Sequence, residues 1–392
     1  MGSKKRILII HPEGNIYNNP NLYEIIKLLN NKYQLELFLP NLDVVHSSLE
    51  FKQIIKIYNN IFNRIFNKVL KNYFLFKLFY KILEKIYLSK KHYDLIIGVD
   101  QLGLILASEL SQRLRVSYGL ISYEIFFQEE CSYEEKKLEI KASKNLDFVI
   151  IQDEIRAKFL SIENKISINK MITMPVSSSK AYPYSRKYSI HNELSIPKDK
   201  KILIFVGSIS NWTCIDKILI NIHNFPDSWV LVLHDRYGDT QKRVQILYPS
   251  IFKQKNKKIY FSNMKIKDTN DMHKLLHSVD LGLATYCPDF NNKYTGKNIE
   301  FIGLASGKIN TYLQNGLPIL TTSNEVLEES IKENNLGFSI TNLDEIPDIL
   351  KHFKPSQRIN DSCIEFFSKK LSFDNYSKNL LNIIDKLLKY NK

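Results

Sequence analysis

A chain of 392 residues is too long for one ordinary hydrophobic core, so two domains are expected. Hydrophobic residues make up 44% and aromatic residues 12%, which excludes a disordered chain. The formal net charge of +14 points to anionic partners, whether phosphates, nucleic acid or an anionic membrane surface.

No signal peptide is expected from the opening Met-Gly-Ser-Lys-Lys-Arg, which runs straight into residues 6–10 (Arg-Ile-Leu-Ile-Ile), a run with the character of a buried strand. His11-Pro12-Glu13-Gly14-Asn15 follows as a loop, residues 23–29 begin a helix, and residues 35–39 form a second strand. This is the βαβ grammar of a doubly wound parallel sheet. The loop lacks the Gly-x-Gly-x-x-Gly spacing of a dinucleotide site.

Residues 50–91 repeat apolar side chains at helical spacing, among them Ile54, Tyr58, Ile61, Phe62, Ile65, Val69, Tyr73, Phe76, Tyr80 and Tyr87. Ten lysines and arginines lie between them, against only Glu50 and Glu84. One or two basic amphipathic helices are expected. Either they lie on anionic lipid headgroups, or the apolar stripe packs on the sheet and the lysines face water.

Further strands are expected at residues 94–99, 116–121, 147–151 and 171–174, with a helix over 104–114. Asp100 stands at the end of the first of these and Ser122-Tyr123-Glu124 at the end of the second. In open parallel sheets ligands bind outside the carboxyl ends of the strands. His11, Glu13, Asp100 and Glu124 are therefore placed to face a cleft, each being otherwise a capping or solvated residue. The first domain is expected over 1–177. Residues 178–200 interrupt the pattern and read as an interdomain linker.

A second series opens at residues 202–206, followed by Gly207-Ser208, and continues at 230–233 (ending in His234), 259–261, 281–284, 317–320 and 338–340. It defines a second domain over 201–372, and residues 373–392 form a closing helix. Within it, residues 303–321 read as loop, short helix, turn and buried strand. Ser306 is an N-cap, Ile309, Tyr312 and Leu313 form one buried face, Gly316 ends the helix and Pro318 prevents its resumption. Gly303 and Gly307 let a ligand approach the backbone. The free N–H groups and the helix dipole favour an anion, and Lys308 adds a full charge. A phosphate or diphosphate fits; an ordinary capped helix with a solvated lysine is the alternative.

Cys131, Cys214, Cys287 and Cys363 are far apart and form no Cys-x-x-Cys pair, which argues against zinc or a disulfide framework and fits a reducing cytoplasm. No apolar run reaches the roughly 18 residues of a transmembrane helix.

Together these features resemble glycosyltransferases of the GT-B architecture, the group that includes glycosyltransferase family 4 and bacterial capsule, O-antigen and exopolysaccharide transferases. The similarity covers nearly the whole chain in layout. It is most specific at Phe205-Val206-Gly207-Ser208, at residues 278–284 (Ser-Val-Asp-Leu-Gly-Leu-Ala) and at residues 303–321.

The resemblance implies an α/β fold: two Rossmann-like parallel-sheet domains facing a cleft, with a C-terminal helix. It implies a nucleoside-diphosphate sugar, UDP- or GDP-type, held by the second domain. Gly207 and Ser208 would approach its phosphates from one side and Ser306, Gly307 and Lys308 from the other. Asn263 would flank the base, and Tyr286 and Asn298 would border the sugar. Thr311 stands where many relatives carry an acid that grips the ribose, and the companion glutamate would fall near Gly303, so the retaining chemistry of family 4 does not carry over. Glu300 is nearby but out of register.

No Asp-x-Asp occurs, so neither a metal nor another cofactor is expected; Lys308 and the helix N-terminus would stabilise the leaving group. If the reaction inverts, Glu124 is the first choice as base, ahead of Glu13, His11 and Asp100; if it retains, the same residues orient or stabilise the sugar. The expected function is transfer of a sugar to a hydroxyl of a lipid-linked bacterial surface glycan. The expected setting is cytoplasmic, at the inner face of the membrane, to which residues 50–91 bind. The alternatives are a GT-B-like sugar-nucleotide epimerase and a polyol-phosphate transferase. No RNA- or DNA-binding motif is present, so nucleic acid is not an expected partner.

Overall fold

The structure, a computed structural model, describes residues 4–16, 19–39, 55–56, 88, 91–183, 189–207, 209–234, 240–249, 257–264, 266 and 269–390. The chain divides into two compact units, Met1–Ser178 with Tyr376–Lys392, and Ser179–Asn375.

The first unit is built on β1 (Arg6–Ile10), β2 (Gln34–Phe38), β3 (Ile55–Lys56), β4 (Leu95–Val99), β5 (Ser117–Ile121), β6 (Phe148–Ile151) and β7 (Met171–Thr173). They form one sheet in the order β3-β2-β1-β4-β5-β6-β7, every pairing parallel. Ile7, Leu8, Ile9 and Ile10 are all buried. Continuous burial of this kind requires helices on both faces, which is why the strand reads as an unbroken apolar run. The strand order reverses between β1 and β4, and that switch point is where open α/β sheets leave a crevice.

The second unit repeats the plan with β8 (Lys201–Val206), β9 (Trp229–His234), β10 (Ile259–Ser262), β11 (Leu281–Ala284), β12 (Ile319–Thr322) and β13 (Gly337–Ile340). The order is β10-β9-β8-β11-β12-β13, again all parallel. Here the reversal lies between β8 and β11.

Several expectations need correction. Ile55–Lys56, placed in an amphipathic helix by the sequence pattern, is a strand: Leu37 pairs with Ile55 and Phe38 with Lys56. Strand pairing overrides the local helical period there. Apart from those two residues, Leu88 and Lys91, the basic segment 50–91 lies outside the described residues. Lys91 donates to Glu36 at 2.8 Å.

The segment read as a linker contains ordered structure among its described residues. Ile190–Leu194 is a helix, Ile190 and Ile196 are buried in the second unit's core, and Tyr182 N–H donates to Gln314 O. The closing helix, Asp374–Tyr390, belongs mainly to the first unit, where Asp385 accepts from Lys32 Nζ and, at 2.8 Å, from the Tyr33 hydroxyl.

Cys214 and Cys287 are joined in a disulfide, with Cα atoms 5.8 Å apart. Their separation of 73 residues hid this. One follows β8 and the other β11, and neighbouring parallel strands bring both loops to the same edge. Among the described residues no helix is long and apolar enough to cross a membrane.

Candidate functional site

The second unit's candidate site grows from Tyr312. Its helix, Gly307–Gln314, packs on β11 because Gly282 has no side chain; a Cβ there would stand 2.4 Å from the Tyr312 ring. The Tyr312 hydroxyl accepts from Val206 N–H at 3.1 Å and lies 3.3 Å from Leu283 O, so one side chain ties the helix to β8 and β11 at the switch point. Ser306 caps the helix, its Oγ accepting from Ile309 N–H at 3.1 Å. The Tyr286 hydroxyl, just past β11, is hydrogen-bonded to the same Oγ. Trp212, in the loop after β8, stacks on Tyr286 with ring centroids 6.3 Å apart.

Lys308, the second residue of this helix, is partly buried. Its Nζ lies 3.7 Å from the Phe205 ring centroid and 5.7 Å from that of Tyr286. A Cβ built on Gly207 would stand 3.8 Å from that same Nζ. Gly207 has φ +138°, a conformation open to glycine and strained for other residues. Burial pulls the Lys308 ammonium down to about 7, and among the described residues no carboxylate offsets it. An ammonium facing ring faces and a helix N-terminus, without an acid, is arranged for an anion that arrives from outside.

The structure thus brings Gly207, Tyr286, Ser306, Gly307 and Lys308 together. Thr311 turns its hydroxyl back onto Gly307 O at 2.7 Å, inside the helix. Asn298 is 1% exposed, so it offers no surface to a sugar as it stands. Asn263 is exposed at the end of β10, the edge strand two places from β8. Ser208 lies outside the described residues.

In the first unit, His11, Asp100 and Glu124 follow β1, β4 and β5, three neighbouring strands. Asp100 starts the helix Asp100–Leu114 with φ 55°, and its Oδ1 accepts from Tyr123 N–H at 2.6 Å and Glu124 N–H at 3.0 Å. It fastens the loop that carries Glu124 to the end of β4. Glu124 itself is solvent-accessible, yet protein encloses it enough to push its carboxyl up to about 7; Arg156 opposes this rise and Glu13 adds to it. Accessible yet enclosed describes a group in a recess. Burial also raises Glu13, and burial, Glu13 and Glu124 raise Asp100. Burial lowers His11 to about 4, so its ring is neutral near pH 7, with Nε2 2.6 Å from Asn15 Oδ1. A cluster of carboxyls with raised pKa values beside one buried guanidinium can accept a proton near neutral pH.

Sequence reasoning missed Arg156, Gln152, Phe205 and Trp212. Arg156 could have been found. Asp153 is an N-cap that accepts from Arg156 N–H, and this fixes Arg156 in the first turn after β6, on the ligand edge of the sheet. Among the described residues no group of three or more His, Cys, Asp or Glu is placed to hold a metal ion.

Comparison with known proteins agrees with this layout. Residues 236–384 match the family model of the Glucosyltransferase 3-like, C-terminal domain. HepE from Anabaena, solved with UDP and glucose, aligns over 97% of this chain and 100% of its own, at 16% identity and a TM-score of 0.72. Sucrose-phosphate synthase from Thermosynechococcus elongatus aligns over 99% and 100%, at 12% identity and a TM-score of 0.68. A glycosyltransferase from Rickettsia africae aligns over 99% and 100%, at 14% identity and a TM-score of 0.67. No curated protein matches the chain. The resemblance to GT-B glycosyltransferases is borne out, and the chain has their fold.

Proposed function

We propose that this chain is a GT-B glycosyltransferase that moves a sugar from a nucleoside-diphosphate sugar, UDP- or GDP-type, to a hydroxyl of a lipid-linked bacterial surface glycan. The observation that carries the donor reading is Lys308, a cation without an acid partner among the described residues, set beside Gly207 and the capped N-terminus of the Gly307–Gln314 helix. HepE, of the same fold, has been solved with UDP and with UDP-glucose.

In this reading the acceptor oxygen bonds to the anomeric carbon as the bond from that carbon to the diphosphate oxygen breaks. The electron pair leaves with the nucleoside diphosphate. Lys308 and the first-turn N–H groups stabilise the charge that develops there, in a preorganised site and without a metal ion. The acceptor proton passes to the Glu124 carboxylate, whose pKa of about 7 matches the demand on a general base. Asp100 positions Glu124 through its backbone, while His11 and Glu13 border the same strand ends. Asn263 is assigned to the base side and Tyr286 to the sugar side of the donor.

The lipid-linked acceptor and the membrane-peripheral setting rest on the basic, aromatic composition of residues 50–91; the cytoplasmic setting, read from the cysteines, loses that support with the Cys214–Cys287 disulfide. Cosedimentation with anionic vesicles tests that part; failure to bind removes it.

A thermal-shift panel of UDP-, GDP-, CMP- and dTDP-sugars tests the donor reading, because a ligand that binds only the folded chain raises Tm. One diphosphate sugar is expected to stand out. No shift with any of them would overturn the reading.

A further inference from the structure

Outside the proposed donor site the first unit buries a cation that the mechanism does not use. Lys136 has no exposed surface. Its ammonium has three protons, and they go to Glu139 Oε2 at 2.8 Å, Asn164 Oδ1 at 2.6 Å and the backbone carbonyl of Phe126. Glu163 lies 3.5 Å from the same ammonium, and its Oε2 accepts the N–H of Gln128 at 2.8 Å. Twenty residues further along the chain, Arg156 is also buried. Its Nη2 donates to the carbonyl of Tyr123 at 2.7 Å and its Nε to Gln152 Oε1 at 2.8 Å, while Gln152 Nε2 donates to the carbonyl of Ser122.

All four backbone groups belong to residues 122–128, the loop that leaves β5 and carries Glu124. Arg156 and Gln152 hold it just before Glu124, and Lys136 and Glu163 hold it just after. Asp100 takes the N–H of Glu124 itself. Burying two cations is costly, and well-packed apolar residues stabilise a fold as well or better. What apolar residues cannot do is donate to chosen loop carbonyls.

We infer that Lys136 and Arg156 are positioning residues of the reaction: two buried cations clasp the backbone on either side of Glu124 and fix where its carboxylate stands. This rests on the assignment of Glu124 as base. A displacement of about 1 Å at a reacting group costs on the order of a hundredfold in rate. The cations therefore act on kcat through geometry, and Arg156 also acts through the charge it presents to Glu124.

The test compares wild type, Glu124→Gln, Arg156→Gln, Arg156→Lys and the paired variant Lys136→Met/Glu139→Gln, which removes both buried charges together. Nucleoside diphosphate release is followed with the sugar nucleotide that gives the largest thermal shift, and UDP and GDP binding by calorimetry. Arg156→Gln and the paired variant are expected to lose about 10- to 100-fold in kcat. Nucleotide affinity should stay within about twofold, because the groups assigned to the diphosphate are elsewhere. Arg156→Gln should also move the rising limb of the pH profile to higher pH, and Arg156→Lys should restore part of the rate. Wild-type kcat and an unmoved limb in folded Arg156→Gln and in the paired variant would overturn the inference. In wild type, which needs no variant to fold, amides 122–128 are expected to exchange as slowly as those of β5; fast exchange would overturn it too. Wild-type rates in Glu124→Gln would instead remove the base assignment on which the inference stands.

Discussion

The ammonium of Lys308 lies 3.7 Å from the centre of the Phe205 ring, in a wall of rings and amides that holds, among the described residues, no acid to balance it. Burial alone draws its pKa down to about 7. An arriving diphosphate supplies the missing charge and restores the protonated form. Binding of the nucleoside diphosphate at pH 8 should therefore take up a proton, and affinity should fall as pH rises above about 7. Calorimetry in buffers of different ionisation enthalpy measures the uptake.

Glu124 has the opposite dependence. Its carboxyl is raised from 4.5 to about 7, so at pH 6 most molecules hold it protonated and unable to act as a base. At saturating donor, where the bound diphosphate keeps Lys308 protonated, kcat should rise with pH to a plateau above about 7, and Glu124→Gln should lose the limb together with most of the rate. A raised folded-state pKa means the group contributes stability that is full below about 4.5 and lost as pH rises through about 7. Glu124→Gln, which cannot ionise, should therefore melt higher than wild type at pH 8 and close to it at pH 4.

Ser306→Ala removes the cap from the Gly307–Gln314 helix and the partner of the Tyr286 hydroxyl. A loss of about 1 kcal/mol in urea unfolding of the second unit is expected. Nucleotide affinity should fall as well, because the first-turn amides are no longer held in place.

Gly282→Ala places a Cβ within 2.4 Å of the Tyr312 ring. The ring has no free direction, since its hydroxyl is fixed between β8 and β11. A cost of about 1–3 kcal/mol is expected from overpacking, read as a lower urea midpoint. An unchanged midpoint would mean that the helix is not seated on β11 as described.

Much of this fold could be read from the chain because a parallel sheet covered on both faces must use continuous apolar runs. Residues 6–10 and 281–284 fall on β1 and β11. The capped helix at Ser306 was equally legible, since its cap, buried face and terminating glycine are local signals. What failed was non-local. The disulfide joins loops from adjacent strands across 73 residues, and no spacing rule sees that. Ile55–Lys56 obeys its strand partner and not its helical period. Ile190 and Ile196, in the segment read as a linker, find a core that a composition reading cannot supply. Thr311 and Asn298 were named from the resemblance alone, and local sequence does not display that the Thr311 hydroxyl bonds Gly307 O or that Asn298 is buried. Arg156 was passed over because an arginine in the first turn of a helix looks solvated until the fold packs it behind Glu124.

The measurement that bears most directly on the donor site is a calorimetric titration of wild type and Lys308→Met with UDP and GDP at pH 7. Losing a charge-assisted contact to phosphate should weaken the preferred nucleotide by about 10- to 100-fold and abolish its proton uptake, with the fold unchanged. Wild-type affinity in a folded Lys308→Met would contradict the account, because the diphosphate would then be held somewhere else.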